Sequence, residues 1–432
     1  MAYVPPKKQK HTREIVLGCI VLAVVFGAVW GYRLYNHHAS SKEEPFTICG
    51  LDVEQTAEKL QSKEKDSYMI SDYLFYGESL NLFAKDYETG TKDDVRRKSI
   101  TLRDLCSDES VTYTMEDRAD RQIDLPELEP GFYALSIRDE NVEKRLVYDE
   151  AMTSQPFYGV TRNGKVKVAT LIGDADLIGS ASANHDLFLK IEEADVQADV
   201  YDIFIDPYGQ RLINGVVQSA GNANGLDESV EMQWAAEQLK GELEKHGLKV
   251  MLAKDKHDDI LGYYGKEGIM QKAYASHAKY YLELGMNSSA QSVDSGTEII
   301  YSNYSSATLA NTLMYELTKN TSLSGSDLNS WFQRNSGVGA SNTAAGADGK
   351  EIYDMLPSLR ESGGRISAAG QFSDAAKENA EVVQSSRCGM QAVSINFIYI
   401  TNAEDARIWK KEREVIITEL SDAFLKAIHV SE

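Results

Sequence analysis

In the stretch YDIFIDPYGQ, residues 201–210, an apolar run ends on Asp206 and Tyr208. A carboxylate suits capping or hydrogen bonding the loop that follows, and a phenolate ligates metal in rare cases. A second carboxylate, Glu228, stands in GLDES at the start of a helical pattern, where the helix dipole alone favours an acid. The remaining reactive residue types form no pattern. His37, His38, His185, His246, His257, His277 and His429 include no HxxxH or HExxH spacing, and no G-x-S-x-G elbow supports a serine nucleophile. Cys49, Cys106 and Cys388 make neither a CxxC pair nor a disulfide framework. A Cys49–Cys106 bridge and isolated buried thiols are the two readings open for them.

These residues need elements to hold them. From about residue 200, strands and helices alternate, which predicts an α/β layered domain over 200–432. DIFID reads as a buried strand. Asp227 to His246 reads as a helix, with Ala235, Leu239 and Leu243 four apart, Trp234 beside them and Gly247 ending it. LKVMLAK, KYYLELGMNSS, GTEIIYS and QAVSINFIYITN are further strands. IMQKAYASHA, ATLANTLMYELTK and a final run carrying Trp409, Ile416, Leu420, Phe424 and Ile428 are helices. Between Thr321 and Arg387 lies a Ser-, Gly- and Ala-rich segment too long for a plain connection. Within it, KEIYDMLPSLRE places Ile352, Met355, Leu356 and Leu359 at helical spacing, with Pro357 bending the helix.

Ahead of this domain the period is two. ESLNLFAKD, KSITLRDL, SVTYTMED, GFYALSIRD and KRLVYDE are short alternating runs, which predicts a β-sandwich over 73–150. LPELEPGFYALSI resembles the closing hairpin of bacterial immunoglobulin-like or fibronectin-like modules, where a Pro-Gly turn feeds a Tyr-bearing strand. Residues 151–199 read as a β connector whose Asn163-Gly164 supplies a tight hairpin turn. Residues 34–72 read as a stalk, helical over DVEQTAEKLQSKEKDSYMISDYL.

Ile15 to Tyr32 is an uncharged run long enough to span a bilayer, preceded by Lys7, Lys8, Lys10 and Arg13, which places a transmembrane helix at 15–33. No A-x-A site follows closely, so an uncleaved anchor is expected, with residues 1–14 cytoplasmic and the rest extracellular. Residues 1–33 hold five of the 45 Lys and Arg and one of the 66 Asp and Glu. That leaves 40 basic and 65 acidic groups outside, a net charge of −25, which makes nucleic acid an improbable partner.

The runs IFIDP, GLDESVEMQWAAEQLKGELEKHGLKVMLAKD, AKYYLELGMNSS, SGTEIIY and QAVSINFIYITNAED, in this order, resemble the zinc-dependent N-acetylmuramoyl-L-alanine amidases. The resemblance covers about Val200 to Val430 and implies a twisted mixed sheet flanked by helices. That family needs an open zinc site: two histidines and a glutamate hold the metal, and a further glutamate is the general base. Laid onto this chain, the first histidine of a DPGHGG-like run falls on Gly209 in DPYGQR, and the ligand glutamate on Glu228. The second histidine, of a SIHANS-like run, falls on Gly285 in ELGMNS, with Asn287 and Ser288 still matching. The base falls on Asn396 in VSINFIYITN. Glycine carries no ligand atom and an amide takes no proton from water, so no metal, cofactor or catalytic residue is expected. A shift of one residue brings Tyr208 to the first position but offers only Leu284 or Met286 at the second.

The resemblance thus implies a membrane-anchored, catalytically inactive amidase-like protein of the bacterial envelope. Its partner would be peptidoglycan or a cell-wall, division or sporulation protein. Asp206, Tyr208, Glu228, Asn287 and Asn396 are the candidate contacts in the cleft. Some division amidases carry an inhibitory helix over the cleft, so Ile352, Met355 and Leu359 are expected either to cover it or to meet a partner. The alternatives are an active amidase with an unusual metal site and a purely architectural scaffold.

Overall fold

Ile203, Phe204 and Ile205 have no exposed surface, and their alternation divides the interior of the C-terminal domain in two. Ile203 and Ile205 join one apolar cluster with the helix residues Leu239, Leu313, Trp409 and Leu420. Phe204 joins another with Ile269, Met270, Ala273 and Tyr281. A strand covered on both faces reads as a continuous apolar run, as IFIDP does.

The structure is a computed structural model. It describes residues 46–70, 72–83, 95, 97–115, 122–148, 156–174, 177, 184–213, 215–263, 267–301, 306–326, 336–340, 343–345, 351–353 and 388–430. The expected membrane span lies outside these residues. Among the described residues no helix is long and apolar enough to cross a membrane.

The C-terminal domain begins with β1 (Ile203–Pro207), β2 (Arg211–Ile213), β3 (Val216–Gln218), α1 (Glu228–Lys245), β4 (Val250–Leu252) and β5 (Leu261–Gly262). It continues with α2 (Ile269–Ala275), β6 (Tyr280–Asn287), β7 (Glu298–Tyr301), α3 (Thr308–Asn320), β8 (Val338–Ala340), β9 (Gln391–Tyr399) and α4 (Ala403–Ala427). The main sheet runs β4–β1–β6–β9–β7–β8. It is mixed: β7 is antiparallel to β9, and the other neighbours are parallel. Helix α1 starts where Asp227 accepts the Ser229 and Val230 N–H groups, and α4 starts where Asn402 does the same for Glu404 and Asp405.

The chain divides into two compact units, Met1–Thr56 and Ala57–Glu432. In the first, the Ile48 N–H donates to Thr56 Oγ1 at 3.3 Å, and Cys49 is disulfide-bonded. In the second, Cys106 is disulfide-bonded, so neither cysteine is an isolated thiol.

The N-terminal strands of the second unit lie in two sheets. One has eight strands and takes in Arg145–Tyr148, Gly131–Asp139, Leu187–Asp195 and Lys165–Gly173. The hairpin read as a connector therefore extends the same sheet as the strands before it. Its turn is the one the sequence indicated, with Asn163 and Gly164 both left-handed at φ 53° and 74°. The other sheet has four strands, Asp72–Tyr76, Ser79–Phe83, Ile123–Asp124 and Cys388–Gly389. Both sheets feed one apolar cluster, including Phe75, Leu80 and Leu82 from the smaller and Leu102, Leu135 and Leu189 from the larger.

Two expectations are corrected. Among the described residues of the stalk the helix covers Val53–Leu60 and does not reach Ser67–Ile70, which pairs in parallel with Arg145–Tyr148 and buries Ile70 completely. The segment read as the helix KEIYDMLPSLRE begins as a strand: Glu351–Tyr353 pairs antiparallel with Thr343–Ala345, placing Ile352 opposite Ala344. Cross-strand hydrogen bonding there overrides the helical spacing. Met355 and Leu359 lie outside the described residues.

Arg162 joins the β region to the end of the chain. Its guanidinium meets Glu78 at 2.6 and 2.7 Å and donates to the Ile428 carbonyl at 2.7 Å. Removing one partner of such a pair strands a buried charge. Arg162→Met is expected to lower unfolding free energy by about 3 kcal/mol, read as an earlier urea midpoint.

Candidate functional site

The site lies at the carboxyl ends of β1 and β6, where an open α/β sheet presents its ligands. Tyr208 extends the pairing of β1, its N–H donating to the Leu284 carbonyl at 2.7 Å. The chain then turns into β2, and Arg211 folds back over the turn. Its guanidinium donates to Asp206 Oδ1 at 2.5 Å and to the Pro207 carbonyl at 3.2 Å. It also lies 5.2 Å from the Tyr208 ring centroid and 5.5 Å from that of Tyr263. Asp206 and Arg211 both have zero exposure. The second Asp206 oxygen accepts the Tyr281 hydroxyl at 2.6 Å.

Beside this pair, Glu283 accepts hydrogen bonds from Tyr263 at 3.0 Å and Ser394 at 2.8 Å. Burial, with the Asp206 charge next, pushes its carboxyl above the usual range. Arg211 stays charged: burial works against the cation, but Asp206 and its neighbours hold its pKa above the ordinary value.

Glu228 enters from the first turn of α1. One oxygen accepts the Gly221 N–H at 2.7 Å and the other the Met286 N–H at 2.8 Å. Burial raises its pKa, against those two N–H groups, which favour the anion. Both carboxylate oxygens are therefore engaged by backbone.

Of the four positions Gly209, Glu228, Gly285 and Asn396, the structure brings Glu228, Gly285 and Asn396 together, and Gly209 lies beside Lys254 and Ser229. Gly285 and Asn396 face each other across β6 and β9. A Cβ on Gly285 would lie 2.9 Å from Asn396 Oδ1, 3.6 Å from Tyr208 Cβ and 3.7 Å from Glu228 Oε1. A Cβ on Gly209 would lie 2.5 Å from Lys254 Nζ and 2.9 Å from Ser229 Oγ. Asn287 turns elsewhere, donating to Glu298 at 2.8 Å.

Zinc does not fit this arrangement. An open catalytic site takes three protein ligands, and here one carboxylate stands among two glycines, an amide and two cations. Among the described residues no group of three or more His, Cys, Asp or Glu is placed to hold a metal.

Arg211, Lys254, Tyr263, Tyr281 and Glu283 were not singled out by sequence. Arg211 had a signal, a charge five residues past Asp206 in DPYGQR. Lys254 had none, since only the fold brings the end of the β4 run to Gly209. It is almost wholly buried, and its ammonium has one long contact, 3.5 Å to the His257 carbonyl. Burial first, and then the Arg211 charge, lower its pKa to about 8.

The family model for N-acetylmuramoyl-L-alanine amidase matches residues 206–429. No curated protein matches the sequence. Among solved structures, the chain is similar to the catalytic domain of CwlV, an N-acetylmuramoyl-L-alanine amidase from Bacillus (Paenibacillus) polymyxa var. colistinus. That match has 16% identity and a TM-score of 0.35, and covers 54% of this chain and 100% of that one. For the amidase AmiC2 of Nostoc punctiforme the values are 16%, 0.33, 54% and 97%. For Ami1 from Mycobacterium smegmatis they are 13%, 0.33, 53% and 95%.

The lowered lysine gives a test. Between about pH 8 and its ordinary value of 10.5, the unfolded chain binds more protons at Lys254 than the folded one, so stability rises with pH. The groups facing it are Arg211, Asp206, Asp259 and Glu228. Lys254→Met is expected to remove about 2 kcal/mol of that rise, measured by urea unfolding at about pH 8 and about pH 10. Identical slopes in parent and variant would disprove the assignment.

Proposed function

The chain belongs to the N-acetylmuramoyl-L-alanine amidase family, and from that membership we propose a catalytically inactive member that binds peptidoglycan at the outer face of a bacterial membrane. The observation that carries the inactive half is the pair of glycines, Gly285 beside Glu228 and Gly209 beside Lys254 and Ser229. By motif resemblance Gly209 and Gly285 take the places of the family's metal-binding histidines, and a side chain at either would meet Lys254 Nζ or Asn396 Oδ1. Glu228 alone leaves a metal two protein ligands short. The base position holds the amide of Asn396, which cannot accept a proton from water.

Family membership supports peptidoglycan as the ligand, because the amidase substrate is the wall polymer. The sheet end that would receive it persists: Tyr208, Glu228 and Asn396 remain close together around Gly285. Residues 15–33 would act as the anchor, with the two described β sheets forming a β-sandwich spacer between membrane and amidase-like domain. The acidic surface of the exported part disfavours nonspecific adhesion to an anionic envelope, which leaves retention to specific contacts.

The purified exported region, residues 34–432, is expected to hold no stoichiometric zinc, to release no stem peptide from peptidoglycan, and to co-sediment with insoluble peptidoglycan. One zinc per chain, with peptide release abolished by Glu228→Ala, would sink the inactive half. Failure to co-sediment would sink the binding half.

A further inference from the structure

Gly209 and Gly285 are not glycine for backbone reasons. Neither lies in the left-handed region, whereas eight other described glycines do. At such positions an L side chain meets no conformational strain, so their lack of a side chain is a matter of space. Each space is filled by a neighbour's polar tip. Lys254 Nζ lies 2.5 Å from where a Gly209 Cβ would stand, with Ser229 Oγ next at 2.9 Å, and Asn396 Oδ1 lies 2.9 Å from that of Gly285, all closer than real Cβ contacts allow.

From this we infer that Lys254 and Asn396 hold the two ligand places closed, so that the site excludes a divalent cation by occupation and by charge. Restoring the two histidines alone would not restore a metal centre. The inference rests on reading 209 and 285 as the former ligand positions. Charge points the same way as space. Lys254 is almost wholly buried, and its ammonium faces the Arg211 guanidinium together with Asp206, Asp259 and Glu228. Two fixed monovalent cations therefore supply the positive charge that a divalent ion would bring to these carboxylates. A metal entering beside them would meet like charge in a medium of low polarity, where repulsion is strong. Lys254 is tethered by its own chain, so no mass action removes it.

The experiment compares zinc binding by calorimetry in the exported region as parent, as Gly209→His/Gly285→His, and as that pair combined with Lys254→Ala and Asn396→Ala. The expected result is no zinc in the parent, weak or no binding in the histidine pair, and binding at least about tenfold tighter in the quadruple variant, ~1.4 kcal/mol. Equal binding by the histidine pair and the quadruple variant, or none by either, overturns the inference. One zinc in the parent itself overturns instead the reading of the site as degenerate. A second measurement does not depend on metal. Gly209→Ala is expected to lower Tm in the parent, and to lower it by less than half as much when Lys254→Ala is already present. The same Tm loss in both backgrounds would show that Lys254 does not occupy the place of the missing side chain.

Discussion

A guanidinium with no solvent-exposed surface has to be paired or the fold fails around it. Arg211 meets that condition with Asp206, the Pro207 carbonyl and the faces of two tyrosine rings. The pair fixes the turn between them, because Asp206 and Arg211 stand at its two ends. The turn sets the backbone at Gly209 and the ring of Tyr208, and Tyr281 carries the same constraint to the centre of the sheet through Asp206. A buried ion pair of this kind gives shape more reliably than it gives net stability, since desolvation offsets most of the attraction. Here the shape is that of an amidase-like sheet end with fixed cations beside its carboxylates.

Carboxylates do comparable work away from the site. Asp202 accepts the backbone N–H and hydroxyl of Thr161 and the Lys249 N–H, tying the hairpin region to the central sheet. Burial raises its pKa while those donors favour the charged form. Glu78 plays a matching part for Arg162 and the Val160 N–H. The β region and the α/β domain therefore meet through polar groups whose partners are specific, a contact more demanding of geometry than an apolar face would be.

Much of this was legible in the sequence. DIFID reads as a buried strand, and KYYLELGMNSS and QAVSINFIYITN read as strands, because a sheet covered on both faces is built from largely apolar runs. Glu228, Gly285 and Asn396, which the structure brings close, each stand in a motif that resembles one of the family's. Arg211 and Lys254 were passed over for the opposite reason: a charged residue in a single sequence reads as surface, and only tertiary contact shows where its tip ends. Ile352 was misread because its spacing to Met355 and Leu359 is helical, while its strand state depends on pairing with Ala344. Ser67–Ile70 was misread likewise, its partner lying almost eighty residues ahead. The long segment after α3 also hid β8, which extends the main sheet beside β7.

The short strand Cys388–Gly389 lies in parallel beside Phe75 and Tyr76, more than three hundred residues earlier. Three residues later the chain is inside the main sheet as β9. The sheet that holds Phe75 and Tyr76 therefore cannot be finished until more than three hundred further residues have been made. Until then the edge at Phe75 and Tyr76 presents unpaired backbone groups, a template open to any extended strand. Because so distant a closure carries a large entropic delay, biosynthesis leaves a waiting interval in which the earlier-made strands depend on a much later one for their completion.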